Sequence, residues 1–251
     1  MLWIADLLVG YGRTGIVPEK VKLKGTSMDS GSELIALKST CLLLRKVALF
    51  TGLSDEQLDH VARIAVLRQE PRNKTVVFVG AEADALFIIA RGSVKVLNRD
   101  IEGHEVILSV LEAGECFGEM GLIDDLPRSA DVVTNDACDL LVIRRADFSR
   151  TLSENRDICW NVMKSLALRL REANHKIESL ALMDVYGRVA KLLLDFSEIE
   201  NGVRVVKRKI TKLDMAKMVG ASREMVSRVM RDLERREVIR CEPKRIILNK
   251  T

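Results

Sequence analysis

The sequence predicts an α+β fold with an N-terminal jelly-roll β-barrel, a long helix and a C-terminal winged helix-turn-helix domain. Three observations predict it. Short β-branched runs separated by turn residues fill the span from 66 to 143, as in an antiparallel barrel or sandwich. A helical apolar repeat follows over about forty residues. Two short helical patterns then flank Gly220 and precede a β-like run.

Charge is distributed unevenly along the 251 residues, of which 47% are hydrophobic, 30% charged and 4% aromatic. The formal net charge is +4, yet residues 1–200 carry 25 Lys and Arg against 30 Asp and Glu, whereas residues 201–251 carry 15 against 6. The last fifth of the chain therefore has a net charge of +9 and predicts a polyanion as its partner. The composition excludes a disordered tail protein and a disulfide miniprotein.

The cysteines and the N-terminal residues indicate the cellular compartment of the protein. Five cysteines are spread singly without a CxxC pair, which is typical of reduced thiols in a cytoplasmic protein. No apolar run approaches the ~18 residues of a membrane span, so no membrane partner is expected. Residues 1–30 end in a Gly, Lys and Ser-rich stretch and are predicted to be a flexible extension, with Met28 as an alternative start.

The predicted β-domain, residues 31–150, opens with helices. Apolar residues recur at helical spacing over 34–49, and Ser54 followed by Gln57 is a capping-box signature for a helix over 55–62. The predicted strands then follow at nearly regular spacing: Val76–Val79, Leu86–Ile89, Val94–Leu97, Val106–Leu111, Ala130–Val133 and Leu140–Ile143.

A candidate anion pocket lies between two of these strands. Gly118 precedes residues able to form one helical turn, whose first N–H groups have no internal partner and can face an anion. Arg128 offers a planar fork for two phosphate oxygens. Glu119 can accept a hydrogen bond from a sugar hydroxyl, and we expect it to offset Arg128 when no ligand is bound. A simpler alternative is that Glu119 and Arg128 form only a salt bridge that closes a loop.

The string from Phe117 to Ala130 resembles the phosphate-binding cassette of cyclic-nucleotide-binding domains, as found in the Crp/Fnr family of bacterial regulators and in cyclic-nucleotide-dependent kinases. The shared pattern is F-G-E, a hydrophobic residue, a short helix and then R-[SA]-A. By this resemblance Glu119 contacts the ribose 2′-hydroxyl, while Arg128, Ser129 and amides near Gly118 hold the cyclic phosphate. The predicted ligand-binding residues in this string are Phe117, Gly118, Glu119, Met120, Gly121, Arg128, Ser129 and Ala130.

One departure from the family concerns the base. The cAMP-responsive members present a Thr-Ser pair to the purine, and the equivalent positions here are Ala173 and Asn174. Ala173 cannot form a side-chain hydrogen bond, whereas the Asn174 amide offers a donor and an acceptor. The implied effector is cAMP or another cyclic nucleotide; cGMP, cyclic di-GMP and no ligand stay open.

Residues 151–197 are predicted to form a dimerisation helix and a hinge. Apolar residues from Cys159 to Leu180 follow 4, 3 spacing over three heptads, which predicts a homodimer through 159–180. The alternative is that this stripe covers the β-domain. A helix break is expected near Gly187, and Glu198–Gly202 is interpreted as a polar hinge.

Residues 198–251 are predicted to form a winged helix-turn-helix domain. Thr211 and Ser222 cap two short helices joined at Gly220, and the second helix has an exposed Arg-rich face. Arg can bond to guanine O6 and N7, and Glu can accept from cytosine N4. The alternative is an amphipathic helix whose charges are merely solvated. The hairpin Arg240–Leu248 is predicted to be the wing.

The segment 219–228 resembles the recognition segment V-G-x-S-R-E-x-V-x-R of Crp-type regulators. That resemblance implies that Arg223, Glu224 and Arg228 read a TGTGA-like half-site in pseudo-palindromic double-stranded DNA. Ser222, Lys212 and Lys217 are expected to contact phosphates or cap helices. The full set of predicted DNA-binding residues is Lys212, Lys217, Ser222, Arg223, Glu224, Ser227, Arg228 and Arg231.

Other chemistry is not predicted. His60, His104 and His175 have no second ligand at metal spacing, and no catalytic constellation is present, so neither a metal, nor a covalent cofactor, nor an enzyme is expected. The leading hypothesis is a cytoplasmic, homodimeric transcription regulator gated by a cyclic nucleotide, with RNA polymerase as a further partner. The alternatives are an effector-independent DNA-binding protein whose β-domain is a scaffold or docking module, and a regulatory subunit that inhibits an enzyme.

Overall fold

The computed structural model describes residues 30–207, 210–243 and 245–249. The predicted N-terminal extension lies, up to residue 29, outside the described residues, as does Lys244 of the wing. The described residues form two compact units. The first contains the chain up to Val94 together with Glu112–Cys159, and the second contains Lys95–Leu111 together with the chain from Trp160 onward.

The predicted helices and strands are present in the predicted order, together with further elements that the sequence did not indicate. The helices are α1 (Ser30–Leu44), α2 (Asp55–Ile64), α3 (Met120–Ile123), α4 (Arg145–Glu154), α5 (Arg156–Leu182), α6 (Val185–Asp195), α7 (Lys212–Val219) and α8 (Arg223–Arg235). The strands of the β-domain are β1 (Val66–Glu70), β2 (Thr75–Val77), β3 (Ala85–Arg91), β4 (Ser93–Arg99), β5 (Glu105–Glu112), β6 (Cys116–Phe117), β7 (Asp131–Thr134) and β8 (Cys138–Arg144). Four strands follow later: β9 (Glu198–Glu200), β10 (Val203–Val206), β11 (Ile239–Glu242) and β12 (Arg245–Leu248).

The start of α2 confirms the predicted capping box. The Ser54 hydroxyl accepts a hydrogen bond from the Gln57 backbone N–H at 3.3 Å, and the Gln57 side chain accepts from the Ser54 backbone N–H at 2.8 Å. Both bonds satisfy N–H groups that the first helical turn leaves without internal partners. The apolar face of α2 buries Leu58 and Val61.

The β-domain contains two four-stranded sheets with the orders β1-β8-β3-β6 and β2-β7-β4-β5, which is the predicted jelly-roll arrangement. The pairs β1–β8, β3–β8, β3–β6 and β2–β7 are antiparallel. The centre of the first sheet provides fully buried side chains from β3 and β8, namely Leu86, Ile88, Ile89, Leu140 and Ile143. Two strands were not predicted: β1, whose residues are mostly exposed, and β6, which has two residues.

The long helix ends earlier than predicted. We expected a break near Gly187, but α5 ends at Leu182 and α6 begins at Val185. The Asp184 side chain accepts a hydrogen bond from the Gly187 backbone N–H at 2.8 Å, so Asp184 is the N-cap and Gly187 lies inside α6. The capping carboxylate therefore sets the position of the break, and the glycine does not.

The C-terminal domain has a core built from α6, α7, α8 and the sheet β11-β12-β10-β9. Val189 and Leu193 of α6, which the predicted boundaries assign to the dimerisation segment, are buried in this core beside Val226. Glu198–Gly202, interpreted as a hinge, contains β9 and the turn to β10, which pair antiparallel. Backbone pairing therefore orders this segment locally, and its role as a hinge stays a prediction.

Within the described residues, no helix is long and apolar enough to cross a membrane.

Candidate functional site

The predicted phosphate cassette lies between the end of β6 and the start of β7. Gly118 has a positive φ of 87°, and a Cβ there would collide with the Arg128 guanidinium and lie 3.1 Å from the Ala85 carbonyl oxygen. Only glycine accommodates this turn at no steric cost. The chain then enters α3, the predicted single helical turn.

Arg128 is a buried and extensively hydrogen-bonded side chain of the cassette, with 4% of its side chain exposed. Its Nη1 donates to the Gly118 carbonyl at 2.7 Å, and its Nη2 donates to the Ala85 carbonyl at 2.8 Å and to Asp84 Oδ1 at 3.0 Å. The guanidinium carbon lies 5.7 Å from the centroid of the Phe87 ring. Burial lowers the pKa of the guanidinium, and the Asp84 carboxylate opposes that shift.

Glu119 offsets the charge of Arg128 by Coulombic attraction, as expected, but the ion pair with Arg128 is formed by another carboxylate. Asp84 forms the ion pair with Arg128, because it directly precedes β3 and its carboxylate reaches Nη2. Glu119 is itself buried and acts on Arg128 through a weaker Coulombic attraction. Asp84 was not predicted as a site residue, and its only sequence signal is a carboxylate immediately before a strongly apolar strand.

A second arginine fixes the short helix. Arg145 Nη2 donates to the Gly121 carbonyl at 2.7 Å, and its Nε donates to the Ala83 carbonyl at 2.8 Å. Gly121 packs so tightly that a Cβ would lie 2.5 Å from the Leu126 carbonyl oxygen. These contacts hold α3 beside the strand that follows Asp84.

The other predicted cassette residues have different environments. Phe117 and Ala130 are buried, and the Phe117 ring stacks on Phe87 with centroids 5.0 Å apart. Met120 and Ser129 are exposed. The structure thus brings a buried acid and a buried arginine together with exposed groups in one loop, a combination suited to a charged ligand that also contacts solvent.

Ala173 and Asn174, the positions expected to face a base, are both exposed on α5. Much of the predicted heptad stripe is exposed on the same helix: Met163, Leu170, Ile177 and Leu180 have between 51% and 64% of their surface accessible, whereas Cys159 and Leu166 are half-buried. Ile158 and Val162, near the start of α5, are instead buried.

The two helices of the predicted helix-turn-helix have the expected caps. The Thr211 hydroxyl accepts from the Asp214 backbone N–H at 3.0 Å, and the Ser222 hydroxyl accepts from the Met225 backbone N–H at 3.1 Å. Gly220 adopts φ 62° and ψ 52°, the left-handed conformation that ends α7 and turns the chain toward α8. Arg188 of α6 donates through Nε to the Val219 carbonyl at 2.8 Å and so fixes the end of α7.

The faces of α8 confirm the predicted division. Its apolar residues Val226, Val229, Met230 and Leu233 are buried. Arg223, Glu224, Arg228 and Arg231 are exposed, and Ser227 is half-buried. Part of the hydrogen-bonding capacity of Arg231 is used within the helix, since its Nε donates to the Ser227 carbonyl at 3.3 Å. The exposed face therefore presents three other charged side chains over its first two turns.

The lysines of α7 differ from each other. Lys212 is exposed, but Lys217 is half-buried and forms an ion pair with Glu105 of β5. The Lys217 pairing was not predicted, because Glu105 lies more than a hundred residues away in sequence. In the wing, Arg245 Nε donates to Glu242 at 2.7 Å across the end of the β11–β12 hairpin.

A cluster of residues that can ligate metals was not predicted. Asp100, Glu102 and His104 lie together in the turn between β4 and β5, with ligand atoms within 4.8 Å of one another. A hydrogen bond from His104 lowers the pKa of Asp100. All three are exposed, and mutual hydrogen bonding accounts for their proximity, so they do not by themselves make a metal site. The five cysteines are free thiols.

Comparison with known proteins identifies both domains. The family model for the cyclic nucleotide-binding domain matches residues 58–155, and that for the Crp-like helix-turn-helix domain matches residues 187–251. The chain is 32% identical over 201 residues to the cAMP-activated global transcriptional regulator Vfr of Pseudomonas aeruginosa, a match that covers 77% of this chain and 92% of the relative. The chain belongs to the Crp/Fnr family.

Two further members of the Crp/Fnr family differ in effector. The cAMP-activated global transcriptional regulator CRP of Haemophilus influenzae is 33% identical over 198 residues, covering 77% of this chain and 88% of the relative. The structure of the c-di-GMP-responsive global regulator CLP of Xanthomonas campestris superposes with a TM-score of 0.68 at 25% identity, covering 79% of this chain and all of that chain. Family membership makes this chain a transcription regulator with a cyclic nucleotide-binding domain and a DNA-binding helix-turn-helix. It does not choose between these effectors.

Proposed function

We propose that the chain is a homodimeric regulator whose affinity for pseudo-palindromic DNA depends on a cyclic nucleotide bound at the cassette around Arg128. The observation that carries the proposal is the buried guanidinium of Arg128, held at the end of β6 within the matched nucleotide-binding domain. A buried cation that already has an exchangeable anionic partner can accept a phosphate in its place.

Ligand recognition would divide between charged and polar groups. Arg128 would hold the cyclic phosphate together with Ser129 and backbone amides after Gly118. Glu119 would accept a hydrogen bond from the ribose hydroxyl. The exposed Asn174 on α5 can read a base edge, whereas Ala173 cannot, which favours a nucleotide preference unlike that of members with two hydroxyl groups.

DNA recognition would use the exposed face of α8. Arg223, Glu224 and Arg228 lie on the N-terminal half of that helix, which enters the major groove in helix-turn-helix proteins. The positions of these side chains support base contacts at a TGTGA-like half-site, with Lys212 and Ser222 near the phosphates. Two copies joined through the stripe of α5 would place two such helices about 34 Å apart.

The test measures DNA affinity with and without nucleotide. Full-length protein is titrated onto a duplex with two TGTGA-like half-sites in the presence of cAMP, cGMP, cyclic di-GMP or none, while a thermal-shift panel reports binding of each nucleotide. One nucleotide should raise both the melting temperature and the DNA affinity. In the Arg128→Gln variant both responses should disappear while DNA binding without nucleotide persists.

Two results would contradict parts of this proposal. Equal DNA affinity under all four conditions would contradict nucleotide gating and favour an effector-independent regulator with a scaffolding β-domain. For base reading, Arg223→Ala should cost about 1–3 kcal/mol at the cognate site and relax preference at one base pair. A uniform loss across unrelated duplexes would instead make Arg223 a phosphate contact.

A further inference from the structure

Two ion pairs join the β4–β5 hairpin to the first helix of the helix-turn-helix. Lys95 of β4 donates to Asp214 Oδ1 at 2.7 Å, and Lys217, one turn further along α7, pairs with Glu105 of β5. Residues 95–111 and the C-terminal domain belong to the same compact unit. The hairpin and the helix therefore contact each other through two bridges of opposite polarity, which together fix one register.

Both bridges are partly shielded from water. Between 14% and 25% of each of the four side chains is exposed. The pKa of Glu105 is lowered by hydrogen bonds from Lys217 and Arg99. Burial alone would raise the pKa of Asp214, but hydrogen bonds from Lys95 and Thr211 outweigh it and the net shift is downward. Partial burial reduces screening by salt, so these pairs are stronger than fully exposed ones.

Lys217 is also one of the lysines expected to contact a DNA phosphate. In helix-turn-helix proteins the first helix crosses the phosphate backbone, so an ammonium group on α7 can serve a phosphate oxygen. A lysine ammonium bonded to a carboxylate is neutralised and cannot at the same time release a counterion from DNA. Glu105 and a DNA phosphate therefore compete for Lys217.

We propose that the β4–β5 hairpin is an autoinhibitory clasp that holds α7 through Lys95–Asp214 and Glu105–Lys217 and withholds Lys217 from DNA. This inference rests on the proposed DNA-binding function and adds a contact that inhibits it. Any event that moves the hairpin from α7 releases the lysine and raises the affinity for DNA irrespective of base sequence, because phosphate contacts carry no sequence information.

The test uses full-length protein without nucleotide and measures affinity for the half-site duplex and for an unrelated duplex over a range of salt concentrations. Glu105→Gln keeps the size of the side chain and removes its charge. It should tighten binding to both duplexes by a factor of about two to five for each subunit that contacts the DNA, which is the range for freeing a partly exposed ion pair. The slope of the logarithm of the binding constant against the logarithm of the salt concentration should become more negative by about 0.9 for each lysine released.

Two variants separate the clasp from a general charge effect. Glu102→Gln removes the same charge from the turn of the same hairpin, where Glu102 lies beside His104 rather than α7, and should change affinity less than twofold. Adding Lys217→Met to Glu105→Gln should remove the gain. Hydrogen exchange, which needs no DNA, should show faster exchange of α7 amides in both Glu105→Gln and Lys95→Met.

The results distinguish the clasp from the proposed function. Unchanged or weaker DNA binding by Glu105→Gln, or a gain that persists without Lys217, overturns the clasp while leaving DNA binding intact. If neither the wild-type protein nor any variant binds any duplex with or without nucleotide, the proposed function fails as well. Unchanged exchange in α7 would contradict the clasp in either case.

Discussion

At the scale of single residues, a cyclic phosphate bound to Arg128 as proposed would compete with Asp84. Arg128 is almost fully buried, and 35% of the Asp84 side chain is exposed, so a phosphate can approach the pair from the side of Asp84. The carbonyl groups of Gly118 and Ala85 can remain bonded while Asp84 leaves. In the proposed site, nucleotide binding would then replace one anionic partner of Arg128 by another.

The substitution Asp84→Asn should therefore lower the stability of the ligand-free protein and raise its affinity for nucleotide. Loss of the charge-assisted bond should lower the free energy of unfolding by about 1–2 kcal/mol, because a buried cation loses its counter-charge. The affinity for the activating nucleotide should rise by a few-fold, since the phosphate no longer displaces a carboxylate. Urea unfolding and calorimetric titration measure the two effects.

A suitable control for that variant is Asp59→Asn, which removes a carboxylate from an exposed pair with Arg63 on α2. Such surface pairs contribute about 0–1 kcal/mol, so neither measurement should move appreciably. A fall in nucleotide affinity with Asp84→Asn would contradict competition and would make Asp84 a positioning residue for Arg128.

The pH dependence of stability follows from Glu105. Its pKa is lowered in the folded protein by the hydrogen bonds from Lys217 and Arg99, so its charged form stabilises the fold. This contribution is fully present above the ordinary glutamate pKa of about 4.3 and is lost as the pH falls through the lower folded-state value. The difference in unfolding free energy between wild type and Glu105→Gln should thus be largest near neutral pH and shrink in acid. A constant difference would show that Glu105 acts without its charge.

At the scale of elements, the turn from β6 into α3 depends on Gly118. Gly118→Ala combines positive-φ strain with a collision between the new Cβ and the Arg128 guanidinium. Gly103→Ala provides a matched control, because Gly103 also has a positive φ of 83° but a Cβ added there would have no neighbouring heavy atom within 4 Å. The control isolates backbone strain from displacement of Arg128.

Both glycine variants should lose about 1 kcal/mol of stability through strain, and Gly118→Ala should lose about 1–2 kcal/mol more. Nucleotide affinity should fall at least about tenfold in Gly118→Ala only, since moving the guanidinium disrupts charged hydrogen bonds. Chemical unfolding and nucleotide titration measure these losses. Equal nucleotide affinity in the two variants would show that Arg128 tolerates the shift.

Elements whose signals are local could be predicted from the sequence. Ser54 with Gln57, Thr211 and Ser222 lie within three residues of the backbone groups that they cap, and all these caps are present. Gly220 likewise meets a requirement of its own turn. The break between α5 and α6, set by the N-cap Asp184, was missed although its signal is also local, because glycine is ordinarily a stronger helix breaker than aspartate.

At the scale of the whole molecule, the missed features are pairs that are distant in sequence. Asp84 lies 44 residues before Arg128, and Glu105 lies 112 residues before Lys217. Neither separation follows from a helix or strand repeat, and many carboxylates in the chain could have served as partners. The residues of the cassette and α8 could be named because they form contiguous strings. Their ion-pair partners are set by the tertiary fold and were therefore inaccessible to sequence reasoning.

The dimer itself is predicted by the stripe on α5. Met163, Leu170, Ile177 and Leu180 are more than half exposed, although burial of each would be favourable by about 1–3 kcal/mol. Leu170→Glu would place a charge in the middle of the seam between two copies. It should raise the dimer dissociation constant by about a hundredfold or more and abolish tight binding to the two-half-site duplex, while leaving the monomer folded.

Leu168→Glu is the matched control for this prediction. Leu168 lies on the same helix and is 62% exposed, against 63% for Leu170, but it falls outside the 4, 3 repeat. Sedimentation velocity and DNA titration should therefore find Leu168→Glu dimeric and fully active. Dissociation by both variants would indicate that a different face of α5 forms the contact, and dissociation by neither would indicate that the stripe covers another surface. Because the two substitutions introduce the same charge on equally exposed leucines, only the heptad position distinguishes them, and any difference between them locates the seam.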